Sequence, residues 1–535
     1  MITLLIMPDQ NPSFPTEEPP AAPFGQVKEP ASIPTPPEAP QGAAQSPTWS
    51  GTAPAVKEVA EETPLPALNA LPTTPPETVS QPQVPVIPAP PTAATPPGRR
   101  FPIKIVIGII VTLVLAALAF FGYKFLMGRT PKTPLTQNTI VWWGLWEDAS
   151  IVTPLIEEYQ AQNPSVKIEY KRESPKDYRE RLESSLAKGD GPDIFFFHNT
   201  WAPMFKDKLD KIPTGVMSAG EYAQTFYPVV SSDVTSGTGL VGIPLGYDAL
   251  TLYINQDIFD AAGKTPPETW DELREVATDL TIKDEDGVIT QSGVALGLTS
   301  NVDHWPEILA LMMLQNGVNL AQPTGELAEK ALEFYTLFAK EELWDENLPN
   351  STVAFAAQKV AMVFAPSWRA FEIKQQNPDL RFKAVAPPHL PKEDPGEPDI
   401  AYATYWVQGV WEGSSKKTEA WNFLKFMSQK ASLEKLFANA AKSRLFGEPY
   451  PRVDMAELLS THPLVGSIAT QAPNATSWYL ASRTFDGATG INSQINKYFE
   501  DAVNAVNEGK TSKASLEVTA EGVAQILAQF DISSP

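Results

Sequence analysis

The chain contains no cysteine. That one absence excludes disulfides, thiolate metal sites, a cysteine nucleophile and a lipid-modified cysteine anchor. Histidine is scarce as well. The four that occur, His198, His304, His389 and His462, are scattered, and no two have metal-ligand spacing. No metal and no cofactor are therefore expected. Basic residues are outnumbered, with 41 Lys and Arg against 63 Asp and Glu and a net charge of -22. A surface that acidic repels phosphate backbones, so no nucleic-acid partner is expected. The motifs GxSxG, HExxH and the P-loop are also missing.

Proline is abundant but uneven: nearly half of the 53 prolines precede Arg99. Residues 1–98 mix Pro, Ala, Thr and Glu with few large apolar side chains, as in "PVIPAPPTAATPPG". Such a segment cannot bury enough surface to offset its ordering entropy, so a disordered tail is expected. Residues 101–127 are the opposite. Ile105 to Phe121 carries no charge. With Ile103 and Tyr123 the run reaches about the 20 residues that cross a bilayer. Lys104 and Lys124 are placed to snorkel to the two interfaces. A single transmembrane helix is expected. Basic residues flank both of its ends, so charge bias does not orient it. Residues 128–138 form a short Pro-containing linker that holds the remainder close to the membrane.

From Thr139 the pattern is α/β. "TIVWW" reads as a strand, and "ASIVTPLIEEYQAQ" puts Ile151, Val152, Leu155, Ile156 and Tyr159 on one helical face. "VKIEY" alternates as a strand. "PKDYRERLESSLAKG" reads as a helix ending at Gly189, and "DIFFF" as a buried strand. This β-α-β-α-β order predicts parallel strands with right-handed crossovers. "TWDE" (Thr269–Glu272) predicts a capping box. "KDEDGVITQSG" lacks the full ligand spacing of a calcium loop and predicts a hairpin turn.

In an open parallel sheet, ligands sit beyond the carboxyl ends of the strands. Two strands stop abruptly there. "TIVWW" runs into Gly144, Leu145, Trp146 and Glu147, and "DIFFF" runs into His198, Asn199, Thr200 and Trp201. Both turns fall at one edge of one predicted sheet.

Four stretches together resemble a family. They are "GDGPDIFFFHNTW", "GIPLGYDALTLYINQDIFDAAGKTPPETWDEL", "AFAAQKVAMVFAPSW" and "GSSKKTEAWNFLKFMSQ". In order and spacing, residues 139–535 are similar to family 1 extracellular solute-binding proteins of the maltose-binding type. The resemblance implies a two-lobed periplasmic-binding-protein fold (type II) with a hinge and an interlobe cleft. Lobe I would hold about 139–247 and 408–472, and lobe II about 252–405 and 474–535. The cleft residues implied by position are Trp146 and Glu147, His198 to Trp201, Tyr247 and Asp248 at the hinge, Trp368, and Tyr405 and Trp406. Two charged pairs of maltose-binding protein are partly replaced here by Trp and Thr, which argues against maltose itself. Flat aromatic faces with a carboxylate and amides still suit a carbohydrate. Trp142, Trp270 and Trp421 read as core.

The implied function is capture of a carbohydrate outside the cell and delivery to the permease subunits of an ABC importer. An outward-facing binding domain would put residues 1–98 in the cytoplasm. The uncleaved helix would replace the lipid anchor. The same layout also suits a ligand sensor or scaffold that works through its Pro-rich tail. Glu147 and Asp248 have no sequence spacing that marks a glycosidase pair, so no enzymatic activity is expected.

Overall fold

The computed structural model describes residues 138–392, 396 and 398–532. The expected tail (1–98), span (101–127) and most of the linker lie outside them. Among the described residues, no helix is long and apolar enough to cross a membrane.

Strand β1 (Asn138–Gly144), helix α1 (Ala149–Gln162), β2 (Val166–Arg172), α2 (Tyr178–Lys188) and β3 (Ile194–His198) follow the hydrophobic pattern. β1 runs parallel to both β2 and β3. Asp148 caps α1 by accepting from the Ser150 N–H at 3.0 Å. The five apolar residues of its expected face are all buried. α2 stops at Gly189, whose φ of +78° is a left-handed helix end that a side chain would strain. Gly144 closes β1 for another reason. A Cβ there would lie 2.1 Å from the Tyr170 hydroxyl, so the glycine lets that ring cross the strand end.

A second sheet is built from β4 (Thr251–Asn255), β5 (Ile282–Lys283), β6 (Ile289–Val294), β7 (Val360–Ala365) and β8 (Phe382–Val385). Its spatial order is β8-β4-β7-β6-β5, with only β6 and β7 parallel. The β5–β6 turn is a hairpin. Asp284 turns its carboxylate onto the N–H groups of Asp286 and Val288 within the turn. Ahead of it, helix α3 (Trp270–Leu280) begins with a complete capping box between Thr269 and Glu272. Helix α4 (Trp305–Gln315) is buried on nearly every side, and helix α5 (Arg369–Gln376) follows β7. Strand β9 (Trp406–Val410) returns to the first sheet and pairs antiparallel with β3. With β1 on one edge and β9 on the other, all five residues of β3 are buried. Helices α6 (Lys417–Met427) and α7 (Lys430–Ala440) complete that side, and α7 packs on α1. Helices α8 (Ile491–Asn507) and α9 (Ser512–Gln529) pack on each other and against the helix Glu326–Lys340.

The result is a two-lobed α/β fold with one main sheet in each lobe. The connections between lobes run side by side. Ala249 bridges Ala403, and Ala401–Tyr402 pairs with Ala475–Thr476. Trp270 and Trp421 are core residues with satisfied indoles, donating to Gln315 and Asp210. Trp142 is also buried, but its Nε1 has no hydrogen-bond partner and its ring reaches the cavity described next.

Candidate functional site

Between the two sheets lies a cavity of about 430 Å³. Its walls come from the ends of β1 and β3, the start of β9, the loop after β7, and the connections at Tyr247–Asp248 and Thr404–Tyr405. Eight of the eleven residues expected at the cleft line it: Trp146, Glu147, His198, Tyr247, Asp248, Trp368, Tyr405 and Trp406. Trp146, Trp368 and Trp406 remain partly exposed, so each presents ring surface to the cavity. Trp146 and Trp406 meet edge to face at 5.4 Å.

Asn199, Thr200 and Trp201 do not line it. A three-residue 3₁₀ turn after β3 rolls them under the wall. Trp201 is fully buried and stacks on Phe205 at 5.6 Å. Thr200 donates to Asn492 Oδ1 at 2.8 Å. Asn199 donates to Asp233 at 2.9 Å and accepts from the Tyr405 N–H. These three side chains are therefore the support of the wall, and its face is His198 and Trp406, which stand opposite each other in the β3–β9 register. A polar run after a strand does not reveal which way the turn will roll.

The cavity is unusual in its polar atoms. Trp142 Nε1, Trp146 Nε1, Glu147 Oε2, Tyr247 OH, Glu307 Oε2 and Gln408 Oε1 are buried and have no hydrogen-bond partner. All six residues line the same space. Burying a polar group unpaired costs free energy, so six such groups around one cavity point to a ligand that hydrogen-bonds. Asp248 is held in place by three donors, the Ala249 N–H at 2.8 Å and the backbone N–H and hydroxyl of Ser367. Burial nevertheless pushes its carboxyl up to about 7. Glu147 is also raised to about 7 by burial and by Glu448 beside it, against the pull of Arg444. His198 is lowered to about 3 by burial, so its ring is neutral at physiological pH.

Several lining residues carry no local sequence signal. Arg444 lies beyond α7 and reaches back to Glu147 at 2.9 Å and Glu448 at 3.0 Å. His304 and Glu307, at the start of α4, are 1% exposed. Glu307 Oε1 accepts from the Ser482 N–H and hydroxyl at 2.7 and 2.9 Å. Arg369 stacks on Trp368, its guanidinium 4.4 Å from the ring centroid, and donates to His304 Nε2 at 2.9 Å. The only sequence hint was the i, i+3 spacing of His304 and Glu307.

The family model for bacterial extracellular solute-binding proteins matches residues 154–444, more than half of the chain. The chain belongs to this family. Among curated solute-binding proteins it is similar to the multiple sugar-binding protein of Streptococcus mutans, 22% identical over 300 residues, which cover 53% of this chain and 69% of that one. Its fold is that of solved solute-binding proteins. The sugar-binding protein MalE from Xanthomonas citri is 20% identical with a TM-score of 0.59, covering 73% of this chain and 98% of that one. The cyclic alpha-maltosyl-1,6-maltose binding protein from Arthrobacter globiformis is 16% identical with a TM-score of 0.60, covering 74% and 100%.

Proposed function

We propose that this solute-binding protein captures a carbohydrate in the interlobe cavity and hands it to an ABC importer. The observation that carries the reading is the pairing of three partly exposed Trp faces with six unpaired buried polar atoms around one 430 Å³ space. Ring faces cover the apolar C–H side of a pyranose, and its hydroxyls supply the missing hydrogen-bond partners. The Streptococcus mutans relative is named for multiple sugars, and solved relatives are named for sugar binding, which supports the same class. Asp248, Tyr247 and Tyr405 line the cavity from the connections, so a ligand there engages both lobes and their hinge. Closure of two lobes around a ligand is a hinge motion that needs no covalent chemistry, so the protein acts as a receptor and not as an enzyme. In this reading Glu147 and Asp248 are hydrogen-bond partners, not an acid–base pair.

The apolar span at 101–127 anchors the chain in the cell membrane, with residues 1–98 in the cytoplasm and the binding domain outside. Tethering keeps the receptor near its permease at high effective concentration. The test is a thermal-unfolding screen of the full-length chain against mono- and oligosaccharides, with amino acids, peptides and polyamines as the counter-panel. A ligand at 100 times its Kd adds about 2.7 kcal/mol of stability. Stabilisation by a saccharide is expected. Stabilisation confined to the counter-panel overturns the carbohydrate reading. For the anchor, external protease on intact cells should remove the binding domain and spare the tail; the reverse pattern overturns the orientation.

A further inference from the structure

The charge balance of the cavity carries a selectivity beyond the carbohydrate reading, on which it rests. Glu147, Asp248, Glu307 and Glu448 line the space. Glu372 does too, but it is turned to Arg369 at 2.5 Å. The lining cations are Arg444 and Arg483. Arg444 is already committed: its Nη2 donates to both Glu147 and Glu448, and its Nε donates to the Phe446 carbonyl at 2.9 Å. Its flat face lies over the Phe371 ring at 5.2 Å. Arg483 has a half-exposed side chain and leans toward Asp303 at 3.5 Å. The two histidines on the wall, His198 and His304, are both pushed by burial toward the neutral form. The buried oxygens Glu147 Oε2 and Glu307 Oε2 have no hydrogen-bond donor.

The unpaired wall atoms are thus two indole N–H donors, the Tyr247 hydroxyl and three acceptors, and the two charged groups among them, Glu147 and Glu307, are both acceptors. Sugar hydroxyls satisfy them. A carboxylate or phosphate on the sugar brings no donor to those oxygens. It also adds a negative charge where little water screens it, beside an arginine already shared by two carboxylates. We infer that Glu147 and Glu307 make this receptor selective for uncharged saccharides and exclude acidic ones, uronates and sugar phosphates alike. Discrimination arises from what the site repels as much as from what it binds.

The experiment is isothermal titration of the full-length chain with maltotriose, mannobiose and tagatose against digalacturonate and glucose 6-phosphate. At least one uncharged sugar should bind more than tenfold tighter than either acid. Glu147→Gln together with Glu307→Gln should narrow that gap at least tenfold. If circular dichroism shows the double variant unfolded, Glu147→Gln alone carries this arm and should narrow the gap at least threefold. An acidic saccharide binding within tenfold of the tightest uncharged one overturns the inference and leaves the carbohydrate reading intact. A folded variant with an unchanged gap overturns the role of these residues. Binding by none of the five overturns this inference, and the broader saccharide screen then decides the carbohydrate reading separately.

Discussion

The Asp233 carboxylate accepts the Tyr405 hydroxyl at 2.6 Å. The same carboxylate accepts from Asn199 Nδ2 at 2.9 Å and from the Ser477 hydroxyl at 2.5 Å. One side chain thus joins the end of β3 to two separate interlobe connections. Removing it leaves three donors without their partner, and each unpaired buried group costs about 1–3 kcal/mol. Asp233→Ala should lower stability by at least about 3 kcal/mol in urea unfolding. Asp233→Asn, which keeps one acceptor, should lose less. Equal and small losses would show that the junction does not depend on this residue.

The two tryptophans that sequence placed together at the cleft should behave oppositely. Trp201 is fully buried in the first lobe, so Trp201→Ala should cost about 3–5 kcal/mol of stability. Trp368 is partly exposed on the cavity wall, and Trp368→Ala should cost much less stability. It should instead raise the Kd for the ligand at least tenfold. Unfolding curves and titrations on both variants check the contrast.

That contrast marks what was legible in the sequence. The β-α-β-α-β order, the apolar face of α1, the stop at Gly189, the Thr269 capping box and the hairpin after Lys283 all follow from local patterns, and all are present. The edge of the first sheet where the cavity lies was also legible, because two strands end there in polar and aromatic residues. The roll of the 3₁₀ turn was not, since the tertiary partners that bury Asn199 and Thr200, Asp233 and Asn492, lie 34 and 292 residues away. Arg444 was invisible for the same reason: it is 297 residues from Glu147, and only folding joins them.

Buried carboxyls should leave a pH signature. Asp248 is raised from 3.8 to about 7 by burial. Between those values the folded protein holds a proton that the unfolded chain has released. The stability contributed by Asp248 is therefore fully present below about pH 4 and lost as pH rises through about 7. Wild type minus Asp248→Asn stability should fall with pH across this window, at up to about 1.4 kcal/mol per pH unit. His198, lowered by burial, acts in the opposite sense, which is why the difference between the two proteins is the quantity to measure. Urea unfolding at a series of pH values gives it. A difference that rises with pH contradicts the assignment.

Gly144→Ala should strain the end of β1. Its Cβ would collide with the Tyr170 ring, whose hydroxyl donates to the Glu147 carbonyl at 2.7 Å. Moving that ring costs about 1–3 kcal/mol by analogy with overpacked cores. It also displaces Trp146 and Glu147, so both stability and ligand affinity should fall, in unfolding and titration assays respectively.

The cavity between the lobes is proposed as a saccharide site with Trp368 on its wall. Isothermal titration of wild type and Trp368→Ala with the saccharide that most stabilises the full-length chain tests it most directly. One bound saccharide per wild-type chain and a Kd at least tenfold weaker in the folded variant are expected. Equal affinity in the two proteins would contradict that assignment.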